Sequence, residues 1–99
     1  MIELIDIPLP HGITLSCRVS GPKGAPVIIF LHGFPEAAFV WDETLAHFSS
    51  RYRCIAPNLR GYERSSAPTA VADYRPKHLV TDILALAATQ GTGPIEALV

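Results

Sequence analysis

The sequence lacks any apolar run near membrane-span length. A helix crossing a bilayer needs roughly 20 such residues, so the reading contains no membrane span. Basic excess is missing too. Eight Lys and Arg stand scattered against nine Asp and Glu, for a net charge of −1. That balance gives no footprint for nucleic acid or for an anionic membrane surface. Cysteine is scarce. Cys17 and Cys54 match no metal-ligand spacing and are too few for a disulfide framework. They read as reduced thiols packed on strands, with a disulfide as the alternative. The first residues carry no basic segment ahead of a long apolar core, which argues against a secretory signal. The expected location is the cytoplasm. No repeat or low-complexity segment interrupts the chain.

The apolar content, in contrast, is high. At 99 residues the chain is 48% hydrophobic, with a mean hydropathy of +0.27. Small free-standing domains have more surface per residue and should be more polar. The composition fits the interior part of a larger α/β domain.

The pattern along the chain agrees. Residues 2–8 alternate loosely, His11-Gly12 is a turn signal, and residues 13–20 alternate with Ile13, Leu15, Cys17 and Val19 on one face. This predicts a β-hairpin. Gly21-Pro22-Lys23-Gly24 is a tight loop. Residues 27–31, Val-Ile-Ile-Phe-Leu, do not alternate, so they predict a strand buried on both faces, as in a parallel sheet. Trp41, Leu45 and Phe48 fall at helical spacing, with Asp42 and Glu43 in the first turn, where negative charge suits the helix dipole. Residues 52–56 predict the next strand. Residues 58–74 are a long irregular stretch. Pro76 opens a second helix whose stripe is Leu79, Ile83 and Leu86, broadened by Val80 and Leu84. Gly91-Thr92-Gly93-Pro94 stops it, and residues 95–99 begin another buried strand.

The stretch that carries chemistry is His32-Gly33-Phe34-Pro35-Glu36, directly after the buried strand. Gly33 permits a turn that a side chain would oppose. Pro35 fixes its own φ and pushes Phe34 toward an extended conformation. A rigid backbone N–H at the end of a central strand is a means of stabilising an anion.

This segment, with Trp41 after it, resembles the His-Gly-X-Pro segment of α/β-hydrolases, and most resembles the epoxide hydrolase branch. Ala56-Pro57-Asn58-Leu59-Arg60-Gly61-Tyr62-Glu63-Arg64-Ser65-Ser66-Ala67-Pro68 is similar to that family's loop after its fourth strand. The resemblance covers nearly the whole chain, residues 1–99, as the amino-terminal part of such a domain. It implies an α/β fold in which an antiparallel hairpin leads into a parallel sheet with flanking helices. It places the fourth strand between the second and third.

The resemblance also implies a reaction. An Asp nucleophile opens an epoxide to an alkyl ester, and a His-activated water attacks that ester without any cofactor. The substrate is a small epoxide or ester. Phe34 supplies a backbone oxyanion-hole donor, and its ring lines the substrate pocket. His32, Gly33 and Pro35 support the loop, His32 by hydrogen bonding rather than proton transfer. No Gly-X-Asp-X-Gly or Gly-X-Ser-X-Gly occurs in the 99 residues. Against the family pattern the chain therefore reads as truncated before the nucleophile turn, without nucleophile, acid or base. It should be inactive alone and self-associate through an exposed sheet edge. The alternatives are a Ser esterase or haloacid dehalogenase of the same fold, or a non-catalytic truncated product that pairs with another chain.

Two positions depart from the family pattern. Asn58 stands where Asp is usual, and Glu63 where Gly is usual. At Glu63 the left-handed backbone angle is either not required or strained. Arg60 and Arg64 read as loop bracing and surface charge. Asp73 and Asp82 read as structural, Trp41 as core, and Glu36 as a solvated first-turn acid.

Overall fold

A computed structural model describes residues 2–34, 36–91 and 95–99. Seven regular elements follow one another: β1 (Glu3–Pro8), β2 (Thr14–Ser20), β3 (Val27–Ile29), α1 (Asp42–Phe48), β4 (Arg53–Pro57), α2 (Pro76–Thr89) and β5 (Ala97–Leu98). The five strands form one sheet in the order β1-β2-β4-β3-β5. β1, β2 and β4 pair antiparallel, whereas β3 pairs parallel with both β4 and β5. The fourth strand thus lies between the second and third, as expected.

The strand alternation sorts the two faces. Leu15, Cys17 and Val19 of β2 join Ile29, Ile55 and Leu86 in one core cluster, under α2. Ile28, Phe30, Cys54 and Ala56 face the other way and pack with Leu45 of α1 and with Trp41 and Phe48. The result is a helix-sheet-helix sandwich. Cys17 and Cys54 sit on neighbouring strands, but in opposite clusters, and both are free. They therefore cannot bridge. Burial, with a smaller effect from Asp6, pushes the Cys17 thiol up to about 12.

The β3 ladder is shorter than the apolar run. Strand assignment ends at Ile29, but Phe30 N–H still donates to the Ile55 carbonyl at 2.9 Å, and Leu31 N–H to the Val99 carbonyl at 2.8 Å. The run keeps its backbone bonds while leaving regular pairing. Val27, at its start, is only half-buried. Trp41 ends a 3₁₀ turn, Ala38–Trp41, ahead of α1, and its ring lies 5.1 Å from Phe30. Arg18 of β2 ties α1 to the sheet through both Asp42 oxygens, at 2.6 and 2.8 Å. Gly21 takes a φ of 87°, and a Cβ there would meet the Tyr52 carbonyl oxygen at 1.8 Å. Only glycine lets β2 turn so close to the entry of β4.

One expectation for α2 is corrected. Val80 and Leu84 do not broaden its buried stripe, for they are 56% and 66% exposed. The helix buries Leu86 of the expected stripe, with Leu79 and Ile83 partly buried, and it buries Asp82 as well. Of the helix-stop residues Gly91 to Pro94, Thr92, Gly93 and Pro94 lie outside the described residues.

Asp82 is 1% exposed and Arg60 5%. Arg60 Nε donates to Oδ2 and Nη2 to Oδ1, both at 2.7 Å, and Nη1 donates to the Asp73 carbonyl at 2.7 Å. His11, from the β1–β2 turn, lies with Nε2 2.8 Å from Asp82 Oδ1. A carboxylate only accepts, so that nitrogen carries a proton. Burial alone would raise the Asp82 carboxyl, but the Arg60 and His11 hydrogen bonds outweigh it and hold the group below its ordinary value.

This fixes a pH dependence. The folded value is depressed, so the stabilisation is complete above the unfolded carboxyl value near about 3.9 and is lost as pH falls through the folded value. Thermal melts across that range should show Tm falling on acidification, with the slope reduced in Asp82→Asn. At neutral pH, Asp82→Ala should cost roughly 3–5 kcal/mol, because it strands a buried guanidinium. Chemical denaturation checks the second value.

Candidate functional site

The carboxyl ends of the parallel strands β3 and β4 lie side by side, because Ile29 pairs with Ile55. Residues 32–36 leave β3 there, and Asn58 to Ser66 leave β4. The two segments are joined by His32. Its ring is buried, at 5% exposure. Leu59 N–H donates to His32 Nε2 at 3.1 Å, so Nε2 is the unprotonated nitrogen. The proton is then on Nδ1, which donates to the Gly33 carbonyl at 2.9 Å. The Tyr62 ring stands edge-on to the imidazole, with centroids 4.5 Å apart. Both ring nitrogens are occupied in holding loops.

Gly33 and Glu36 close the turn. Glu36 N–H donates to the Gly33 carbonyl at 2.8 Å, and Gly33 N–H points to Glu36 Oε1 at 3.3 Å. Glu36 is exposed, as an acid at this position should be, but it also accepts a bond from the turn. Among the described residues nothing accepts a hydrogen bond from the Phe34 N–H. The Phe34 ring is 85% exposed. Pro35, to which the sequence assigns a loop-fixing part, lies outside the described residues.

The β4 loop is held from below by Asn58, which is buried. Its N–H donates to the Ser16 carbonyl at 2.8 Å, and its Nδ2 reaches Ser16 Oγ at 3.0 Å. Its Oδ1 accepts the Ala38 N–H at 2.8 Å. A carboxamide suits this place because it must both donate and accept, which an ionised carboxylate cannot. Ser65 adds a hydroxyl bond to the Asn58 carbonyl and accepts the Ser16 N–H at 2.9 Å. Sequence reasoning did not single out Ser16 or Ser65. Their signal is only that both are small hydroxyl residues, and their partners are 42 and 49 positions away in sequence.

Glu63 resolves one open expectation. Its φ is 47°, so the left-handed angle is retained and the Glu is strained in it. For a residue with a Cβ this conformation costs roughly 1–2 kcal/mol. Gly61, two residues before, also has a positive φ of 86°, and a Cβ there would lie 2.7 Å from Tyr74. Arg60 braces the loop from the interior through Asp82. Arg64 is on the surface, 3.6 Å from Asp6, with its side chain 81% exposed.

Beside the loop lies a groove of about 280 Å³, bounded by Leu4, Asp6, Arg18, Phe39, Glu63 and Arg64 among others. Of the described residues His32, Gly33, Phe34 and Glu36, none lines it. Among the described residues, no group of three or more His, Cys, Asp or Glu is placed to hold a metal ion. No described helix is long and apolar enough to cross a membrane.

The arrangement is thus an anchored turn at the end of a central strand, in which, among the described residues, the Phe34 N–H has no hydrogen-bond acceptor. Comparison with known proteins agrees with the fold. The alpha/beta hydrolase fold family matches residues 26–96. An epoxide hydrolase of Caballeronia sordidicola is 40% identical over 77 residues, covering 77% of this chain and 23% of that protein. Epoxide hydrolase 2 of Caenorhabditis elegans is 43% identical over 63 residues, covering 64% and 18%.

Among solved structures, one of the novel epoxide hydrolases from metagenomes of hot environments superposes with a TM-score of 0.90 at 49% identity, covering 98% of this chain and 33% of that one. An epoxide hydrolase from Vigna radiata gives 0.89 at 38% identity, covering 97% and 30%. The chain therefore spans about a fifth of these curated relatives and about a third of these solved structures. With the family matched over residues 26–96 and the sheet order in place, the chain belongs to the α/β-hydrolase fold family.

Proposed function

We propose that these residues are the oxyanion-loop part of an epoxide hydrolase-like enzyme. The observation that supports this best is the unpartnered Phe34 N–H beside a Gly33 carbonyl held by two hydrogen bonds. In the proposed reaction an Asp carboxylate attacks an epoxide carbon. One C–O bond forms, the ring C–O bond breaks, and the alkoxide takes a proton to become a hydroxyl. Water, giving its proton to a His, attacks the ester carbonyl. The tetrahedral oxyanion accepts the Phe34 N–H and then collapses: the diol oxygen leaves with the proton held by the His, and the carboxyl left behind releases a proton, replacing the one taken up at ring opening. No cofactor enters these steps. The exposed Phe34 ring offers an apolar contact to the substrate. The nucleophile, acid and base are not among the 99 residues. The setting proposed is the cytoplasm, with no nucleic-acid partner.

The 99 residues alone should give no turnover of a styrene-oxide-type epoxide. Grafted in place of the matching third of the hot-environment epoxide hydrolase, they should support hydrolysis. Phe34→Pro in that graft removes the N–H and should lower kcat by roughly 10²–10³-fold, as loss of one oxyanion donor does. Full activity in the folded Phe34→Pro graft would contradict the reading.

We further propose self-association of the isolated chain. Among the described residues β5 has a strand partner on one side only, and Leu98 and Val99 are 55% and 54% exposed. An apolar free edge pairs readily with another strand. Sedimentation of the purified chain should show a species heavier than 10.7 kDa. A monomer at all concentrations would refute the pairing.

A further inference from the structure

The direction of the Phe34 N–H is set from a distance. The Gly33 carbonyl and the Phe34 N–H belong to one peptide unit. In a planar trans unit they point in opposite directions. The carbonyl is held by His32 Nδ1 at 2.9 Å and by Glu36 N–H at 2.8 Å. Fixing it therefore aims the N–H to the opposite side. The aim requires a proton on Nδ1, and this depends on Nε2 accepting the Leu59 N–H at 3.1 Å.

Leu59 is itself pinned on both sides. Asn58 N–H donates to the Ser16 carbonyl at 2.8 Å. On the other side Arg60 has all three guanidinium nitrogens engaged, two by Asp82 and one by the Asp73 carbonyl, each at 2.7 Å. A bidentate pair of this kind fixes geometry as well as contributing energy. A continuous line of contacts runs from α2 to the turn: Asp82, Arg60, the Leu59 N–H, the His32 ring, the Gly33 carbonyl.

We propose that Asp82 and Arg60 are positioning residues for the Phe34 donor, acting by holding the Leu59 amide that selects the His32 tautomer. This rests on the oxyanion reading of Phe34 but concerns how the donor is aimed. Neither residue touches the reacting atoms. The members of the pair are 22 positions apart in sequence.

The test is nitrogen NMR of the His32 ring and the Phe34 amide in the 99-residue chain, with no substrate present. The wild-type ring should show a single neutral tautomer protonated at Nδ1. Arg60→Met combined with Asp82→Leu removes both charges and keeps apolar filling, a replacement that buried ion pairs often tolerate. In that variant the ring should become a mixture of tautomers and the Phe34 amide resonance should move. A cooperatively melting double variant with an unchanged ring and an unmoved amide would overturn the proposal.

A second pair of variants carries the test if the double variant fails to fold. His32→Asn keeps a donor near the Nδ1 place and should leave the Phe34 amide near its wild-type position. His32→Leu has no donor and should displace it. Equal displacement in both would also overturn the proposal. These readouts contain no turnover, so an inactive graft would count against the epoxide hydrolase reading and leave this one standing.

Discussion

The buried pair between Arg60 and Asp82 is the constraint on which the loops depend. It joins the loop after β4 to α2, and through His11 and the Asp73 carbonyl it also holds the β1–β2 turn and the segment before α2. Of these, the β1–β2 turn is the distant one, with His11 71 positions from Asp82 in sequence. A long irregular segment such as residues 58–74 costs conformational entropy to order. Here hydrogen bonds rather than an apolar core hold the segment, with the fully engaged Arg60 guanidinium joined by the bonds of Asn58, Ser65 and Tyr74. The arrangement is vulnerable, because removing either partner leaves the other charged and dry.

The sheet determines where this loop meets the first one. β3 and β4 run parallel with Ile29 opposite Ile55, so both chains emerge at the same end. His32 and Asn58 then stand at the two exits. His32 ties the exits together through Leu59, and Asn58 ties the second exit to β2 through Ser16 and to the turn before α1 through Ala38. Among the described residues the Phe34 N–H has no acceptor in this network. In the proposed oxyanion role, a donor free of other partners needs no reorganisation when charge develops.

Much of the fold was legible because it rests on local pattern. Alternation in residues 13–20 gave the face that buries Leu15, Cys17 and Val19. The unbroken apolar run at 27–31 gave a strand inside a parallel pair. Pro76 gave the start of α2. Other features were hidden because their cause is not local. Val80 and Leu84 have the spacing of a wide apolar stripe, yet both face out. The sequence around Asp82 does not announce that Arg60 waits for it inside the fold. Glu63 could have signalled a relaxed angle or a strained one, and only the backbone decides. Asn58 looked like a departure from the family pattern. In place, its carboxamide makes two kinds of bond that a carboxylate could not both make.

The central claim is that the Gly33–Phe34 peptide is anchored by its carbonyl while its N–H stays open. Amide hydrogen exchange under native conditions reads this directly. The account predicts protection at Leu59, which donates to His32, and at Glu36, which donates to Gly33, with Phe34 exchanging as an unbonded amide. Protection at Phe34 equal to that of a ladder amide such as Ile29, or exchange at Leu59 as fast as at Phe34, would contradict it.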